Sequence, residues 1–518
     1  MKKSTDKGES GMHYMLKTYL KLLQQANLVK SCCLYGKKDQ IIENLTFDSR
    51  ETMKRGLFIC KGAAFKIDYL RQAFKNGAVC YIGEEHFPLD YEVPYILVKD
   101  IRKAMPVLAK QFYEDPSREL DLVGITGTKG KTTTSYYIKA IMDEYQKSIG
   151  LRSMGIISSI EVKDGVEHKT SSMTTPESME LYRHMKNAVS SGKRSMVMEV
   201  SSQALKYQRV RGLNFDVGVF LNISEDHISP SEHDDFEDYF SAKLSIFRQC
   251  QTACINLDSD KADRILQASR LAKSVITFGT GQADRIDGDV KNGRIPDIFG
   301  YDIQQEKGRI NFRVKSGRFD ERFTLGMPGV FNVENALAAI AVAYLYHIPV
   351  EYMIAGLKKV KVKGRMEQYV SHKRRLTVIV DYAHNRLSFE KLFQSVLMEH
   401  PFSKIVSVFG CPGNKAYNRR RDLGLIAGLY SKKVYLSADD PGEEQFTHIS
   451  GDIARYVESV GCPYECIENR GDAIKRAIEE AEEESVVLVL GKGCETHQKI
   501  GKVSCAYPTD ANFVKKYL

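Results

Sequence analysis

What this sequence lacks removes whole classes of protein. Its eleven cysteines contain no C-x-x-C pair; apart from the adjacent Cys32 and Cys33, the nearest spacings are Cys250 to Cys254 and Cys462 to Cys466, with no His or Cys cluster at zinc-finger spacing. A disulfide framework and a zinc module are thereby excluded, and the odd count reads as reduced thiols, most of them buried as small hydrophobes. The polar stretch MKKSTDKGESGM at residues 1–12 is not followed by an apolar run of signal or membrane length, so a soluble, cytoplasmic chain without membrane insertion is expected. No repeat array or low-complexity tract is evident. Positive charge is not concentrated either: a formal +9 is spread along the chain, with only the short clusters Lys373-Arg374-Arg375 and Arg419-Arg420-Arg421. Nucleic acid is therefore not an expected partner. The first cluster reads as a solvated surface; the second follows a Gly- and Pro-containing turn and is placed to meet an anionic substrate.

What is present is ordinary globular material, 43% hydrophobic and 27% charged. At 518 residues the chain exceeds what one core supports, and three domains are expected. The stretch that organises them is VGITGTKGKTTTSYYI, residues 123–138. A β-branched run meets a Gly-containing turn and then a helix-compatible segment, the layout of strand, phosphate loop and helix. Gly127 and Gly130 let successive backbone N–H groups converge on an anion, Lys131 adds a mobile positive charge, and Thr132 offers a hydroxyl to Mg²⁺. Ile125 stands where the usual string has its first glycine, but G-x-x-G-K-T remains.

Before this loop, apolar spacing over residues 13–30 predicts an amphipathic helix. The runs ENLTFDSR, GLFIC, AVCYIG and PYILV predict a small sheet, with Asp48-Ser49-Arg50 in a surface turn. Asp115-Pro116 marks a linker. After the loop, TTPE at 174–177 leads into a helix with Pro at its first position. MVMEVSSQAL (196–205) and FDVGVFLNISEDH (215–227) then read as strands of a parallel sheet, where ligands gather at C-terminal ends. That rule groups Glu199, Ser201, Ser202, Asn222, Asp226 and His227. An acid in an apolar run is costly unless satisfied, and a metal ion held by Glu199 and His227 would satisfy it. Lys243, in a probable helix beside an apolar stripe, reads as a snorkelling surface lysine. A meander follows over about 275–328, then an apolar helix over 329–346. Asn335 near its start is placed either to contact a base or ribose or to bond backbone. Beyond a hinge at Lys363-Gly364-Arg365, the runs at 376–385, 404–415, 432–444 and 485–495 predict a second open α/β domain.

The strings DSR at 48, GITGTKGKTTT at 124, TTPE at 174, EVSS at 199, NISEDH at 222, FNVENALAA at 331, GRME at 364, DYAH at 381 and GKGCE at 491 occur in the order seen in the Mur ligase family. The chain resembles these ATP-dependent amide ligases over nearly its whole length, and most of all the members that add the third residue to UDP-N-acetylmuramoyl-L-alanyl-D-glutamate. The resemblance implies an α/β protein of three domains: an N-terminal UDP-substrate domain (1–118), a central ATPase domain built on a parallel sheet (119–363), and a C-terminal Rossmann-like domain that brings in the amino acid (364–518). It implies that Ser49 and Arg50 lie by the UDP-sugar, and that Thr174, Thr175, Ser201 and Arg209 hold the sugar-peptide. ATP would be bound by Gly127, Thr128, Lys129, Gly130, Lys131, Thr132 and Thr133, with Asn335, Arg365, Asp381 and His384. Thr132, Glu199, His227 and a carbamate on Lys243 would hold Mg²⁺; Lys131, Glu199, His227 and Lys243 form the catalytic set. In the implied reaction the D-glutamate γ-carboxylate attacks the ATP γ-phosphate, and the incoming amine displaces phosphate from the acyl phosphate. A monomer is expected.

The amino-acid pocket implied by the resemblance includes Lys415, Asp439, Asp440, Gly491 and Glu495. Where diaminopimelate-adding members have D-N-P-R, this chain has Asp439-Asp440-Pro441-Gly442. Without an arginine to clamp a distal carboxylate, and with an added acid, the pocket favours a distal ammonium, hence L-lysine. L-Ornithine or meso-diaminopimelate, a folylpolyglutamate- or cyanophycin-type ligase, and a non-catalytic nucleotide-binding scaffold are the alternatives.

Overall fold

The structure is a computed structural model that describes residues 13–62, 65–226, 228–229, 232–282, 295–306 and 308–518. The chain forms two compact units. The first comprises residues 1–123, 155–216 and 248–251; the second comprises 124–154, 217–247 and 252–518.

In the first unit the four predicted runs become the strands Asn44–Thr46, Gly56–Ile59, Ala78–Gly83 and Tyr95–Val98, with Val29–Cys33 added at the edge. Phe58, Tyr81 and Val93 pack with Leu70 and Ala73 of the helix Ile67–Lys75 to form its core. The opening helix is shorter than its apolar spacing predicts. It spans Leu16–Gln25, because Asn27 turns at φ 56° and Val29–Cys33 leaves as a strand. Further along, the hairpin Glu161–Lys163 and His168–Thr170 pairs with Gly155–Ile157, which runs parallel to Ser195–Glu199. The TTPE turn also differs in detail: the helix is Ser178–Ser190 and Glu177 is its N-cap, so Pro176 lies outside the helix and not at its first position.

In the second unit, residues 252–256 pair parallel with Ser274–Thr280, and Ser274–Thr280 pairs parallel with Ile298–Glu306, so the stretch predicted as a meander over about 275–328 is one only in its later part, where Ile298–Glu306, Arg309–Lys315 and Asp320–Leu325 pair antiparallel. The helix Asn332–Leu345 is apolar nearly all round and correspondingly buried. The C-terminal sheet has the order Glu367–Ser371, Leu376–Asp381, Ser485–Leu490, Lys404–Phe409, Lys433–Leu436, Tyr464–Cys466. Only its first strand is antiparallel. The run SVVLVL is apolar at every position because both faces are covered: Val486, Leu488 and Leu490 enter one core, and Val487 and Val489 enter the other. All eleven cysteines are free thiols. Among the described residues no helix is long and apolar enough to cross a membrane.

Candidate functional site

The strand Asp121–Thr126 delivers the chain to the loop, and the helix Lys131–Ser148 receives it. Gly130 turns at φ 87°, and a Cβ there would run into Asn335 Oδ1, so only glycine closes the loop against the buried helix. A neighbouring strand end braces it. Thr128 N donates to Asn222 O at 3.0 Å, Lys129 N to Asn222 Oδ1 at 2.8 Å, and Tyr239 Oη to Thr128 Oγ1 at 3.1 Å. Two ammonium groups meet on one carbonyl: Lys131 Nζ and Lys243 Nζ each donate to Gly127 O at 2.8 Å.

Lys243 is therefore not a snorkelling surface lysine. It is 1% exposed on the helix Phe236–Leu244, on the same face as Tyr239 and Phe240. Burial, then the charges of Lys131 and Lys129, push its ammonium well below the usual lysine value, with Asp226 opposing. The signal was available in sequence, since positions i−4 and i−3 from Lys243 are the two aromatics of the apolar stripe.

A second charged knot adjoins the loop. Lys129 Nζ lies 3.0 Å from His384 Nε2 and 3.8 Å from Asp226 Oδ2. Asp226 also accepts from Asn385 Nδ2 at 2.6 Å and from Arg419 Nη2 at 2.6 Å. Burial pushes Lys129 down to about 7, Asp226 opposing and Arg419, Lys131 and Arg365 adding to it. His384 is held well below its usual value by burial and by Lys129. The arginine cluster consequently needs a different reading: Arg419 is committed to Asp226, and Arg420 to Glu444 and Asp452. The other basic cluster is a solvated face as expected, with Lys373 exposed and Arg375 paired with exposed Glu483 and Glu484, while half-buried Arg374 donates to Ile478 O at 2.7 Å.

Thr132 and Thr133 are buried at the start of the loop helix. Arg365 Nη2 approaches Thr132 Oγ1 at 3.5 Å and its guanidinium lies over the Tyr382 ring at 4.4 Å. Asn335 bonds side chains, not backbone: its Nδ2 donates to Asn332 Oδ1 at 3.0 Å and its Oδ1 accepts from Thr134 Oγ1 at 3.4 Å. Asp381 fixes the turn after its strand by accepting from Met366 N and Ala383 N at 2.8 and 2.7 Å.

In the first unit, Glu199 is 1% exposed and its Oε1 accepts from Ser159 N at 2.7 Å, so a backbone N–H, not only a metal, satisfies the carboxylate predicted to be costly there. Thr175 Oγ1 donates to Glu199 O at 2.9 Å and accepts from Ser201 N at 3.0 Å. Ser201 caps the short helix Ser202–Lys206. Arg209 Nε pairs with Glu177 at 2.9 Å while its Nη1 donates to Thr175 O at 3.3 Å. Thr174 is half-buried beside them in the chain. Ser49 is buried, its carbonyl taken by Asn76, while exposed Arg50 is drawn back onto Asp48. His227 lies outside the described residues.

Asp439, Asp440 and Glu495 converge on Lys492, which is fully buried. Its Nζ lies 2.8 Å from Glu495, 3.0 Å from Asp440 and 3.7 Å from Asp439. Burial opposes that ammonium, but the three acids outweigh it and hold its pKa above the usual lysine value. Gly491 passes close over the cage, with Asp439 Oδ2 2.7 Å from where a Cβ would be. Gly442 adopts φ 59° with open space around it, and its N–H donates to Lys499 O at 3.1 Å. Lys415 is exposed.

Residues 125–343 match the Mur ligase middle domain and residues 364–493 the Mur ligase glutamate ligase domain. The UDP-N-acetylmuramyl-tripeptide synthetase of Lactobacillus delbrueckii subsp. bulgaricus is 35% identical over 510 residues, 96% of this chain and 98% of that one. The chain belongs to the Mur ligase family. The UDP-N-acetylmuramoyl-L-alanyl-D-glutamate–L-lysine ligase of Streptococcus pneumoniae serotype 4 is 36% identical over 490 residues, 93% of this Mur ligase and 94% of its own chain. The fold is shared with a solved MurF ligase from Thermotoga maritima in complex with ADP, at TM-score 0.62 and 18% identity over 92% of this chain and 96% of that one. In this Mur ligase, sequence reasoning missed Lys492, Arg419 and Asn385. Each lies within a motif read for another purpose: buried Lys492 in GKGCE, read for its glutamate, buried Asn385 in DYAHN, read for its histidine, and half-buried Arg419 in the arginine cluster, read for an external anion.

Proposed function

We propose that this Mur ligase adds L-lysine to the D-glutamate of UDP-N-acetylmuramoyl-L-alanyl-D-glutamate, forming ADP and phosphate by way of an acyl phosphate, in peptidoglycan precursor synthesis. The observation that carries the choice of amino acid is the acidic cage. Three carboxylates face one buried ammonium, leaving net negative charge for a distal amine, while Gly442 supplies no guanidinium for a distal carboxylate. The curated relative named as an L-lysine ligase supports the same reading.

ATP is the nucleotide of this reading, supported by the loop geometry and the ADP-bound relative. The loop N–H groups, Lys129 and Lys131 neutralise the phosphates, and Asn335, Arg365, Asp381 and His384 line the nucleotide's surroundings. The available donors suit Mg²⁺: the Thr132 hydroxyl is a hard oxygen ligand, and a carbamate on Lys243 would supply another. Carbamate formation needs a neutral amine, and Lys243 is buried among cations that favour one. Glu199 and His227 complete the proposed ligand set on the family pattern. Bound Mg²⁺ supplies charge neutralisation at the transferring phosphoryl group. The assignment of residues 1–118 to the UDP-substrate, 119–363 to ATP and 364–518 to the amino acid belongs to this proposal, as do a monomeric state and a cytoplasmic location.

Phosphate release by the purified protein with ATP, Mg²⁺ and the UDP-muramoyl dipeptide tests it, with L-lysine, L-ornithine and meso-diaminopimelate compared. Turnover with L-lysine and little with diaminopimelate is expected. Preference for diaminopimelate would overturn the cage argument, and no turnover with any amine would overturn the ligase reading.

A further inference from the structure

The acidic loop Ala438-Asp439-Asp440-Pro441-Gly442 lies between the strand Lys433–Leu436 and the helix Phe446–Ser459 and belongs to neither. Its two adjacent carboxylates repel each other, Pro441 has no N–H to anchor, and Gly442 turns at φ 59°. Such a segment keeps its acids in place only if another element holds it. That element is a hairpin. His497–Ile500 and Val503–Ala506 pair with each other and with no strand of the six-stranded sheet, and a ribbon of two strands is marginal alone.

The first hairpin strand lies along the loop. Gln498 Nε2 donates to Ala438 O at 3.2 Å and to Asp439 O at 2.8 Å, and Lys499 N donates to Asp440 Oδ1 at 2.9 Å. Gly442 N donates to Lys499 O at 3.1 Å and Gly501 N to Gly442 O at 2.6 Å, which bridges Gly442 to Ile500. From a third segment, Gly413 N donates to Asp440 O at 3.0 Å. The carbonyls of Ala438, Asp439, Asp440 and Gly442 thus each have a donor. Gln498 is half-buried between exposed His497 and Lys499, as strand alternation requires of a side chain turned onto the loop. Lys499 N and Lys492 Nζ, the latter at 3.0 Å, share Asp440 Oδ1, so two separate segments orient that carboxylate.

We propose that Gln498 is a positioning residue for amino-acid choice: its amide seats the loop on the hairpin, so that Asp439 and Asp440 stand at a fixed reach for the distal ammonium of the incoming amino acid. This rests on the proposed substrate class. A fixed cage measures chain length. L-Lysine reaches it, and L-ornithine, one methylene shorter, falls short, a difference worth about 10-fold or more in a rigid site. Gln498 acts through the two acids and not on the substrate.

The test uses the full enzyme and measures kcat and KM for L-lysine, L-ornithine and ATP. Gln498→Met keeps the side chain's length and removes its donors; Gln498→Glu keeps its shape and sets a carboxylate against two carbonyls. In Gln498→Met the KM for L-lysine should rise about 10-fold, as loss of two neutral hydrogen bonds implies, while kcat and the KM for ATP stay level. Its preference for L-lysine over L-ornithine should fall about threefold or more, and Gln498→Glu should exceed it on both readouts. Lys502→Ala, at the exposed tip where Lys502 lies 3.5 Å from Glu443, should change neither. Thermal unfolding identifies the folded variants. Combining Gln498→Met with Asp440→Asn separates positioning from general loosening: if Gln498 acts through the loop's acids, the double variant is little worse than Asp440→Asn alone. An unchanged preference in the folded Gln498 variants, or effects that multiply in the double variant, overturns the positioning role. Absence of turnover with either amine in the unaltered enzyme overturns the proposed substrate instead.

Discussion

The phosphate loop and the acidic cage are opposite solutions to the same problem of burying charge. Around the loop, Lys129, Lys131 and Lys243 gather on carbonyls such as Gly127 O, with the Asp226 carboxylate beside Lys129. Around the cage, Asp439, Asp440 and Glu495 crowd one ammonium, Lys492. Neither set is neutral by itself, and an isolated buried excess of charge is costly. The sign of each excess matches a proposed substrate, a polyanionic nucleotide at the loop and a diamino acid at the cage. Buried imbalance, more than the identity of any one motif residue, distinguishes a site built to receive charge from an internal ion pair. Arg470 and Asp510 supply the contrast: both are fully buried, paired bidentately at 2.8 Å, with Ser437 Oγ and Leu490 O accepting from the guanidinium as well, so one positive and one negative charge balance each other.

Removing the most deeply buried member of the cationic set should have the largest effect. Lys243→Ala should lower kcat by about 10²–10³-fold, the loss expected when one preorganised charge partner is removed from the reacting centre. If the group acts as a carbamate, ¹³C-bicarbonate should give a carbamate resonance in the unaltered enzyme that is absent from the variant. Full activity of Lys243→Ala would show that the loop's cation excess is structural and that the carbamate has no role.

At the cage the effects should be smaller and confined to one substrate. Glu495→Gln keeps shape and removes one charge, so the KM for L-lysine should rise about 10- to 100-fold while the KM for ATP stays level. Equal effects on both substrates would break the separation of the two sites. The competing explanation is collapse of Lys492, whose ammonium bonds Glu495 at 2.8 Å; an unchanged unfolding temperature excludes it.

Much of this organisation was legible because its signals are periodic or local. Apolar runs such as SVVLVL must be strands covered on both faces, and a β-branched run followed by G-x-x-G-K-T must turn into a helix. The buried polar knots were not legible. The Arg419 bond to Asp226 spans 193 residues and the Lys492 bond to Asp440 spans 52, and no period connects such positions. Lys243 was misread for a different reason: lysine on an amphipathic helix is ordinarily at the edge of the stripe, and here it is part of the stripe.

The finest test uses pH, because the two regions should titrate with opposite consequences. Asp439 is raised to about 6, chiefly by burial, with Asp440 and Glu495 adding to it and Lys492 and Arg470 opposing. As pH falls through that value the cage takes up a proton and loses one negative charge, so the KM for L-lysine should rise below about 6. Lys129 is lowered to about 7, so as pH rises through that value the loop loses one positive charge and the KM for ATP should rise instead. Both Michaelis constants measured across pH 5 to about 9 should therefore bend at opposite ends of the range. In Asp439→Asn the acid inflection for lysine should vanish while the ATP inflection persists. If both inflections moved together, one titration would serve both regions, and the division into an anion-receiving and a cation-receiving site would fail.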